Sequence, residues 1–410
     1  MPSKMTLEEH NNCKVLLDTK PSKGISKNKC VICKGRSMCG ISPCPILSSI
    51  ELDFKGGNES KNEFHGKSTG LNIGWEKYPN DTIYMSMLSE DYDPKAVFEN
   101  ERESVYYKLS KIFSPFIGSN IPQGIQEEFK KIAISRTPLK VDVNLSGMSS
   151  DKFFFSSVER AFGNIGPLYD LNVYGDPDIP LFLIEIMEQG LEYEQAIARA
   201  YEDGAEIEYI SRLLATGNLG KPQRPMPSRW AKTSTYSVCS KHLIGKVKKL
   251  PVSRETAVYH NNYLGNDYLI IGFSRPWEFE MIERWLPNSI WTIGEEKPLY
   301  VHEHETYNGV SDQAMREGGS YYSGRLGTCE LLMRGKEQAA CLVMFLPSPE
   351  SSVPFGSGEI RMGIRGSTLL ERFENDEDAI EFACTKMQIP SKEIKKMSML
   401  LSQNSLNKWM

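Results

Sequence analysis

The spacing of hydrophobic residues along this 410-residue chain changes from helical to strand-like several times. Apolar residues three or four positions apart lie on one face of a helix, whereas short apolar runs between turn residues are typical of strands. The predicted helices are 93–113, 125–133, 181–189, 193–201, 207–214, 278–285, 318–333, 376–386 and 391–402. The predicted strands are 83–88, 139–145, 170–173, 268–273, 291–292, 299–304, 339–346 and 359–364.

The order of these elements predicts an α+β fold with a mixed sheet and helices. Strands and helices do not alternate regularly, as they would in a doubly wound parallel sheet. The length predicts two domains or one large domain with appendages. The expected divisions are a mobile basic tail at 1–28, a four-cysteine knot at 29–46, domains at 47–285 and 286–386, and a mobile C-terminal tail at 387–410.

Charge is distributed unevenly along the chain, although its net value is only -5. Residues 1–50 contain eight Lys or Arg and three acidic residues, and residues 386–410 contain five lysines and one acidic residue. Basic ends suit contact with polyanions or acidic partners, and they equally suit simple solubility. The chain shows no apolar leader and no apolar run of membrane-spanning length, which predicts a cytoplasmic protein without a membrane partner.

Four cysteines lie within fifteen residues, in the segment Cys30-Val-Ile-Cys33-Lys-Gly-Arg-Ser-Met-Cys39-Gly-Ile-Ser-Pro-Cys44-Pro. A Cys-x2-Cys pair followed closely by two more cysteines matches the ligand set of a tetrahedral zinc ion. The glycines and prolines between them permit the turns that four converging thiolates require. We therefore predict one structural Zn²⁺ bound by Cys30, Cys33, Cys39 and Cys44.

Two other arrangements of the same four cysteines remain open. Two disulfides would satisfy them, but clustered thiols in a cytosolic protein usually bind metal. An iron–sulfur cluster also uses four thiolates. The remaining cysteines are scattered, and three of them lie in apolar stretches as small core residues.

The last eight residues, Gln403-Asn-Ser-Leu406-Asn-Lys-Trp409-Met410, have the spacing of a sliding-clamp-binding peptide. One tight helical turn would place Leu406, Trp409 and Met410 on one side as a hydrophobic plug, with Gln403 hydrogen-bonding at the rim of a pocket. The usual peptide ends in two aromatic residues, and here Met410 replaces the second. The alternative is an ordinary amphipathic terminal helix packed on the body.

Several arginines and one tryptophan are candidates for DNA contact. Arg229 and Trp230 follow a proline-rich linker at 221–230, where they are placed to grip phosphate or stack on bases. Their alternative is a core tryptophan with an arginine at its rim. The full candidate set is Arg229, Trp230, Arg325, Arg361 and Arg365.

Acidic residues in the second half offer a different chemistry. Glu278, Glu280, Glu303 and Glu330 could bind Mg²⁺ or Mn²⁺ as the carboxylates of a nuclease do. His302 and His304 would share one strand face, where a solvated surface is the simpler interpretation. No serine, histidine and aspartate pattern of a hydrolase is evident.

Several motifs together resemble the archaeal Nre DNA-repair family. Beside the cysteine knot and the terminal peptide, they are Tyr201-Glu-Asp-Gly-Ala, Leu214-Ala-Thr-Gly-Asn-Leu-Gly, Pro227-Ser-Arg-Trp, Trp277-Glu-Phe-Glu, Gly318-Gly-Ser-Tyr-Tyr-Ser-Gly-Arg and Gly363-Ile-Arg. The resemblance covers most of the chain and makes 47–285 and 286–386 its N-terminal-type and C-terminal-type domains. It implies a DNA-damage role in the nucleoid and contact with the sliding clamp (PCNA), and it implies no established reaction.

Three hypotheses follow from the sequence. The first is a zinc-containing repair factor tethered to the sliding clamp and acting on damaged or branched DNA. The second is a metal-dependent nuclease or nucleotide-processing enzyme built on the acidic residues. The third is a non-catalytic adaptor whose cysteine knot binds protein.

Overall fold

The computed structural model describes residues 62–74, 82–90, 111–118, 120–147, 165–287, 289, 292, 295–310, 319–349 and 357–402. These residues fall into two compact units that divide between His242 and Leu243. The division differs from the boundary expected at 285, because the strands that follow His242 belong to the sheet of the second unit.

A closed five-stranded barrel forms the first unit, in the strand order β1-β2-β3-β5-β4. Its elements are β1 (Glu63–Ile73), β2 (Ile83–Ser89), β3 (Ile112–Ile117), α1 (Gln123–Ile134), β4 (Lys140–Leu145) and β5 (Ile165–Tyr174). Neighbouring strands run antiparallel, except that β3 and β5 run parallel. Helix α1 therefore connects β3 to β4, and the pairing of β1 with β4 closes the barrel.

Alternating apolar residues fill the interior of the barrel. In β4 the side chains of Val141, Val143 and Leu145 are buried while the residues between them are not, as the two-residue period of a strand requires. Ile125 and Phe129 of α1, four residues apart, pack into the same core cluster. This amphipathic face explains why the helical spacing at 125–133 predicted α1 correctly.

Four helices follow the barrel: α2 (Leu181–Glu188), α3 (Tyr193–Glu202), α4 (Ile207–Ala215) and α5 (Ser228–Val247). The hydroxyl of Tyr209 on α4 donates to the carbonyl of Ile134 at the end of α1, over 2.5 Å. Arg212 donates from the same helix to the carbonyl of Ser135. These bonds join α4 to the end of α1, and the predicted helices at 181–189, 193–201 and 207–214 are confirmed.

A seven-stranded mixed sheet forms the second unit, in the order β10-β9-β8-β11-β7-β6-β12. Only β8 and β11 pair in parallel. The elements are β6 (Thr256–Tyr263), β7 (Asn266–Phe273), β8 (Glu278–Trp285), β9 (Leu299–Thr306), β10 (Gly309–Val310), α6 (Gly319–Gly335), β11 (Ala340–Leu346), α7 (Ser357–Arg365), β12 (Thr368–Phe373), α8 (Asp376–Lys386), α9 (Ser391–Met397) and α10 (Met399–Ser402).

Helices cover both faces of this sheet. On one face, Ile380, Ile394 and Leu400 of α8, α9 and α10 join a core cluster with side chains from the central strands. On the other face, α6 and α7 lie close to the sheet: a Cβ atom at Gly324 of α6 would lie 2.6 Å from Sδ of Met281, and one at Gly363 of α7 would lie 2.3 Å from the ring of Tyr268. Burial on both faces explains why β11 consists entirely of buried residues.

Two predicted elements have the wrong type. Residues 278–285 form strand β8 instead of a helix, because this segment lies between β9 and β11 and buries both faces. Residues 359–364 lie in helix α7 instead of a strand, because Ile360 and Ile364, four residues apart, point into the core. The predicted helix at 93–113 lies mostly outside the described residues, and its last two positions begin strand β3.

The folded body extends further toward the C-terminus than the predicted tail at 387–410 allows. Ile389, Ile394 and Leu400 are between 0% and 4% exposed, so the segment that ends at Ser402 belongs to the folded second unit. The mixed α+β class is confirmed. None of the described helices combines the length and the apolarity that a membrane crossing requires.

Candidate functional site

Two sets of predicted site residues lie outside the described part of the chain. They are the zinc ligands Cys30, Cys33, Cys39 and Cys44, and the clamp-peptide residues Gln403, Leu406, Trp409 and Met410. Within the described residues, no group of three or more His, Cys, Asp and Glu side chains is placed to hold a metal ion. The zinc site and the clamp peptide therefore stay predictions.

Arg229 and Trp230 occupy the first turn of α5 and are both half-buried. The Trp230 amide donates to the carbonyl of Pro227, over 2.9 Å. The Ser228 hydroxyl accepts a hydrogen bond from the backbone amide of Ile73, over 2.8 Å, and so attaches the start of α5 to strand β1. Arg229 and Trp230 therefore lie beside strand β1 of the barrel unit, with part of each side chain exposed to solvent.

Arg325 is buried inside the second unit instead of lying on a DNA-binding surface. It is 1% exposed, and its guanidinium Nη1 donates to Oε2 of Glu305 on β9, over 2.5 Å. The hydroxyl of Tyr321 donates to the same oxygen, over 2.8 Å. Burial, together with the charge of Glu305, raises the pKa of Tyr321. The arginine therefore neutralises a buried carboxylate, which removes it from the set of phosphate contacts.

Arg361 is also held in an ion pair. Its Nε and Nη2 atoms donate to the two carboxylate oxygens of Glu330, over 2.9 and 2.6 Å. The same interaction occupies Glu330, one of the proposed nuclease carboxylates. Arg365, whose side chain is 49% exposed, lies 4.0 Å from this carboxylate. Of the three candidate DNA-contacting arginines in the second unit, Arg325 and Arg361 are buried and Arg365 is about half exposed.

Glu280 is fully buried on β8 and binds the start of helix α10. One carboxylate oxygen accepts from the Met399 amide, and the other accepts from the Ser398 hydroxyl and the Leu400 amide, over 2.5 to 3.1 Å. His302 on β9 lies 2.7 Å from the first oxygen. Burial acts to raise the Glu280 pKa, but the hydrogen bonds from His302 and Ser398 outweigh burial, so the pKa lies below its ordinary value.

Glu278 is likewise paired across the two strands. Its carboxylate lies 2.8 Å from Nε2 of His304 on β9. The two histidines share a strand face, as the sequence predicted, but both lie against carboxylates of β8, with His304 buried and His302 half-buried. The geometry gives Glu278, Glu280 and Glu330 structural partners, and this leaves the nuclease hypothesis without support from these three residues.

The barrel carries a polar network on its outer surface that the sequence analysis missed. Asp142 on β4 accepts from the Tyr174 hydroxyl, over 2.7 Å, and lies 2.7 Å from Nδ1 of His65 on β1. These hydrogen bonds lower the pKa of Asp142 and raise those of His65 and Tyr174. The three residues come from strands distant in sequence, so no local motif could have revealed them.

Comparison with known proteins identifies two matching family models. The model described as Archaeal Nre, N-terminal matches residues 38–292, and the model described as Archaeal Nre, C-terminal matches residues 305–409. The first match begins between the second and third cysteines of the knot. Residues 293–304 lie between the two matches.

Curated relatives agree with these matches. DNA repair protein NreB of Archaeoglobus fulgidus is 26% identical over 363 residues, which cover 86% of this chain and 92% of that protein. DNA repair protein NreA of Haloferax volcanii is 26% identical over 342 residues, covering 78% and 81% respectively. DNA repair protein NreA of Archaeoglobus fulgidus is 22% identical over 374 residues, covering 88% and 94%. No solved structure matches the chain.

Proposed function

The chain belongs to the archaeal Nre family, and we propose from this membership that it is a DNA repair factor. The observation that carries the proposal is the similarity to proteins named for DNA repair along most of their length. We further propose that it binds the sliding clamp through Gln403, Leu406, Trp409 and Met410 and acts at damaged or branched DNA.

The position of the peptide supports clamp binding. Helix α10 ends at Ser402, and the buried carboxylate of Glu280 accepts hydrogen bonds at its first turn. Gln403 is the next residue, so the peptide follows an anchored helix without an intervening linker. A short connection of this kind would hold the clamp close to the second unit.

We also propose one structural Zn²⁺ at Cys30, Cys33, Cys39 and Cys44, with zinc binding coupled to folding of 29–46. Replacing Cys33 with Ser should remove about one zinc per chain, because three thiolates bind the ion far more weakly than four. Elemental analysis of purified protein measures the loss. A Cys239→Ser variant is the control, since this cysteine is buried in helix α5.

Calorimetric titration of an archaeal sliding clamp tests the tether. The full chain should bind, and a chain ending at Ser402 should not. This end point keeps Leu400 and the Glu280 contacts, so the truncation leaves the folded body intact. In the full chain, Leu406→Ala and Trp409→Ala should abolish the heat of binding, whereas Asn407→Ala, at a position that the peptide spacing leaves free, should keep it. Equal binding by the full and shortened chains would contradict the proposal.

A further inference from the structure

The connectivity of the barrel points to a class of ligand. Three consecutive antiparallel strands, a helix between β3 and β4, parallel pairing of β3 with β5, and closure through β1 and β4 are all present. This is the topology of the OB-fold, whose surface over β2 and β3 binds oligonucleotides or oligosaccharides in many proteins. A fold alone does not establish function. The side chains on that surface show whether it suits an oligonucleotide.

A row of outward-facing side chains crosses three strands at this surface. Asn72 on β1 pairs with Tyr84 on β2, and Tyr84 pairs with Phe116 on β3. The rings of Tyr84 and Phe116 are half-buried, with centroids 5.9 Å apart and planes inclined by 43°. Aromatic rings at the surface of a barrel, set side by side, are typical of platforms on which unpaired bases stack.

Strand β5 extends this row. Phe116 pairs with Pro167 on β5, and Tyr169, two residues further along the strand, is 73% exposed. Leu168 between them points into the core, which places Pro167 and Tyr169 on the outer side. We call Tyr84, Phe116 and Tyr169 the aromatic band.

The charge around the aromatic band suits a polyanion. Strands β2 and β3 contain no Asp or Glu. Lys67 on β1 is exposed and pairs with Leu88 on β2. The outer side of β4 and the part of β5 beyond Tyr169 differ, because they carry the carboxylates of Asp142 and Asp170, which would repel phosphates.

Two polar atoms beside the band lack hydrogen-bond partners among the described residues. They are the hydroxyl of Ser114 on β3, which is 0% exposed, and the side-chain carbonyl oxygen of Asn72. Strand alternation places Ser114 on the same side as Phe116. Both atoms are shielded from solvent, so a ligand on this surface would contact the exposed rings and not these two atoms.

We propose that single-stranded DNA binds across the outer surface of β1, β2, β3 and β5, with its bases stacked on the aromatic band. This assignment rests on the proposed DNA repair function and names the form of DNA that is bound. Single strands fit better than duplex because aromatic rings can stack only on bases that are unpaired. The stacking requires no particular base, so binding should tolerate changes of sequence.

Fluorescence anisotropy with a labelled oligodeoxythymidylate of about 16 nucleotides tests the proposal on the full chain. Tyr169→Ala should weaken binding about ten-fold, as the loss of one stacked base predicts, while Tyr169→Phe should keep the affinity. Tyr174→Ala is the matched control, because it removes an exposed tyrosine from the acidic part of the same strand. Binding by the unmodified chain should also fall as salt rises.

Three results would overturn the proposal: no binding of the oligonucleotide, equal weakening by Tyr169→Ala and Tyr174→Ala, or tighter binding of duplex DNA or of RNA of the same sequence. The same preparations can be titrated with the sliding clamp. A chain that binds the clamp without binding the oligonucleotide would remove the barrel assignment and leave the proposed clamp-linked function standing. A chain that binds the oligonucleotide without binding the clamp would remove the proposed clamp binding and leave the barrel assignment standing.

Discussion

Strands β8 and β9 of the sheet differ from strands β2 and β3 of the barrel in how their polar side chains are used. The first pair carries the carboxylates and histidines that usually mark an active site, and Glu280 and Glu305 among them are buried in ion pairs and hydrogen bonds. The second pair carries no charge at all and exposes parts of Tyr84 and Phe116. Whether a side chain is exposed or already paired inside the protein, more than its residue type, distinguishes a binding surface from a structural network.

Desolvation explains this difference. A charged group in a protein interior is tolerated only when partners replace the water that it loses, so the buried acids of β8 and β9 require His302, Arg325 and the first turn of α10. A half-buried aromatic ring has no such requirement. It can therefore stay exposed to a ligand.

Breaking the ion pair of Arg325 should have the largest effect. Arg325→Ala leaves Glu305 buried without its cation, which typically costs about 3–5 kcal/mol of folding free energy. The matched control is Arg365→Ala, because this side chain is 49% exposed, and its loss should change stability by about 0.5 kcal/mol or less. Urea denaturation measures both. Similar values for the two variants would show that Arg325 is not structural.

Adding a side chain where α6 and α7 are in close contact should have the next largest effect on stability. A Cβ atom at Gly327 would lie 2.8 Å from the carbonyl oxygen of Arg361, so Gly327→Ala must push α7 away, at a cost of about 1–3 kcal/mol. Gly335, at the end of the same helix, has nothing within 4 Å of its Cβ position. The thermal midpoint should fall for Gly327→Ala and stay near that of the unmodified protein for Gly335→Ala.

An effect of similar size, but dependent on pH, is expected at Glu280, which binds the start of α10. Its pKa is lowered below 4.5 by the folded state, so its contribution to stability is present at neutral pH and is lost as the pH falls through the lowered pKa. Glu280→Gln should cost about 1–3 kcal/mol at neutral pH, and the difference from the unmodified protein should shrink in acid. A difference that stays constant with pH would contradict this role.

The surface network of the barrel should give the smallest effect. The hydrogen bond that His65 donates to Asp142 raises the pKa of His65 above 6.5, so the stabilising contribution of this pair is complete below that pH and is lost as the pH rises through the raised value. Asp142→Asn should return the His65 pKa toward 6.5, as measured by NMR titration, with little change in stability because the pair is exposed. An unchanged pKa would show that the hydrogen bond does not form in solution.

Much of the fold could be predicted from local patterns. The spacing of Ile125 and Phe129 predicted α1, and the apolar run at 339–346 predicted β11. The pattern failed where tertiary burial overrides it. Glu278–Trp285 mixes acidic and apolar residues in a way that resembles a helix, and only its position between two strands makes it β8.

The candidate site was harder to predict because its residues meet only in three dimensions. Arg325 and Glu330 have the chemistry of functional residues, and the sequence does not show that Glu305 and Arg361 neutralise them. Tyr84, Phe116 and Tyr169 are ordinary strand residues until the barrel closes and sets them in one band. Strand pairing between distant segments, absent from any local pattern, creates this surface.

Ultraviolet crosslinking of bound oligodeoxythymidylate to the full chain, followed by mass spectrometry of the peptides, tests the contrast most directly. Crosslinks are expected in the peptides that contain Tyr84, Phe116 or Tyr169, where bases would lie against the rings. Crosslinks confined to the peptides of Arg325 and Arg361 would contradict this expectation, because that result would place the DNA on residues that the fold buries.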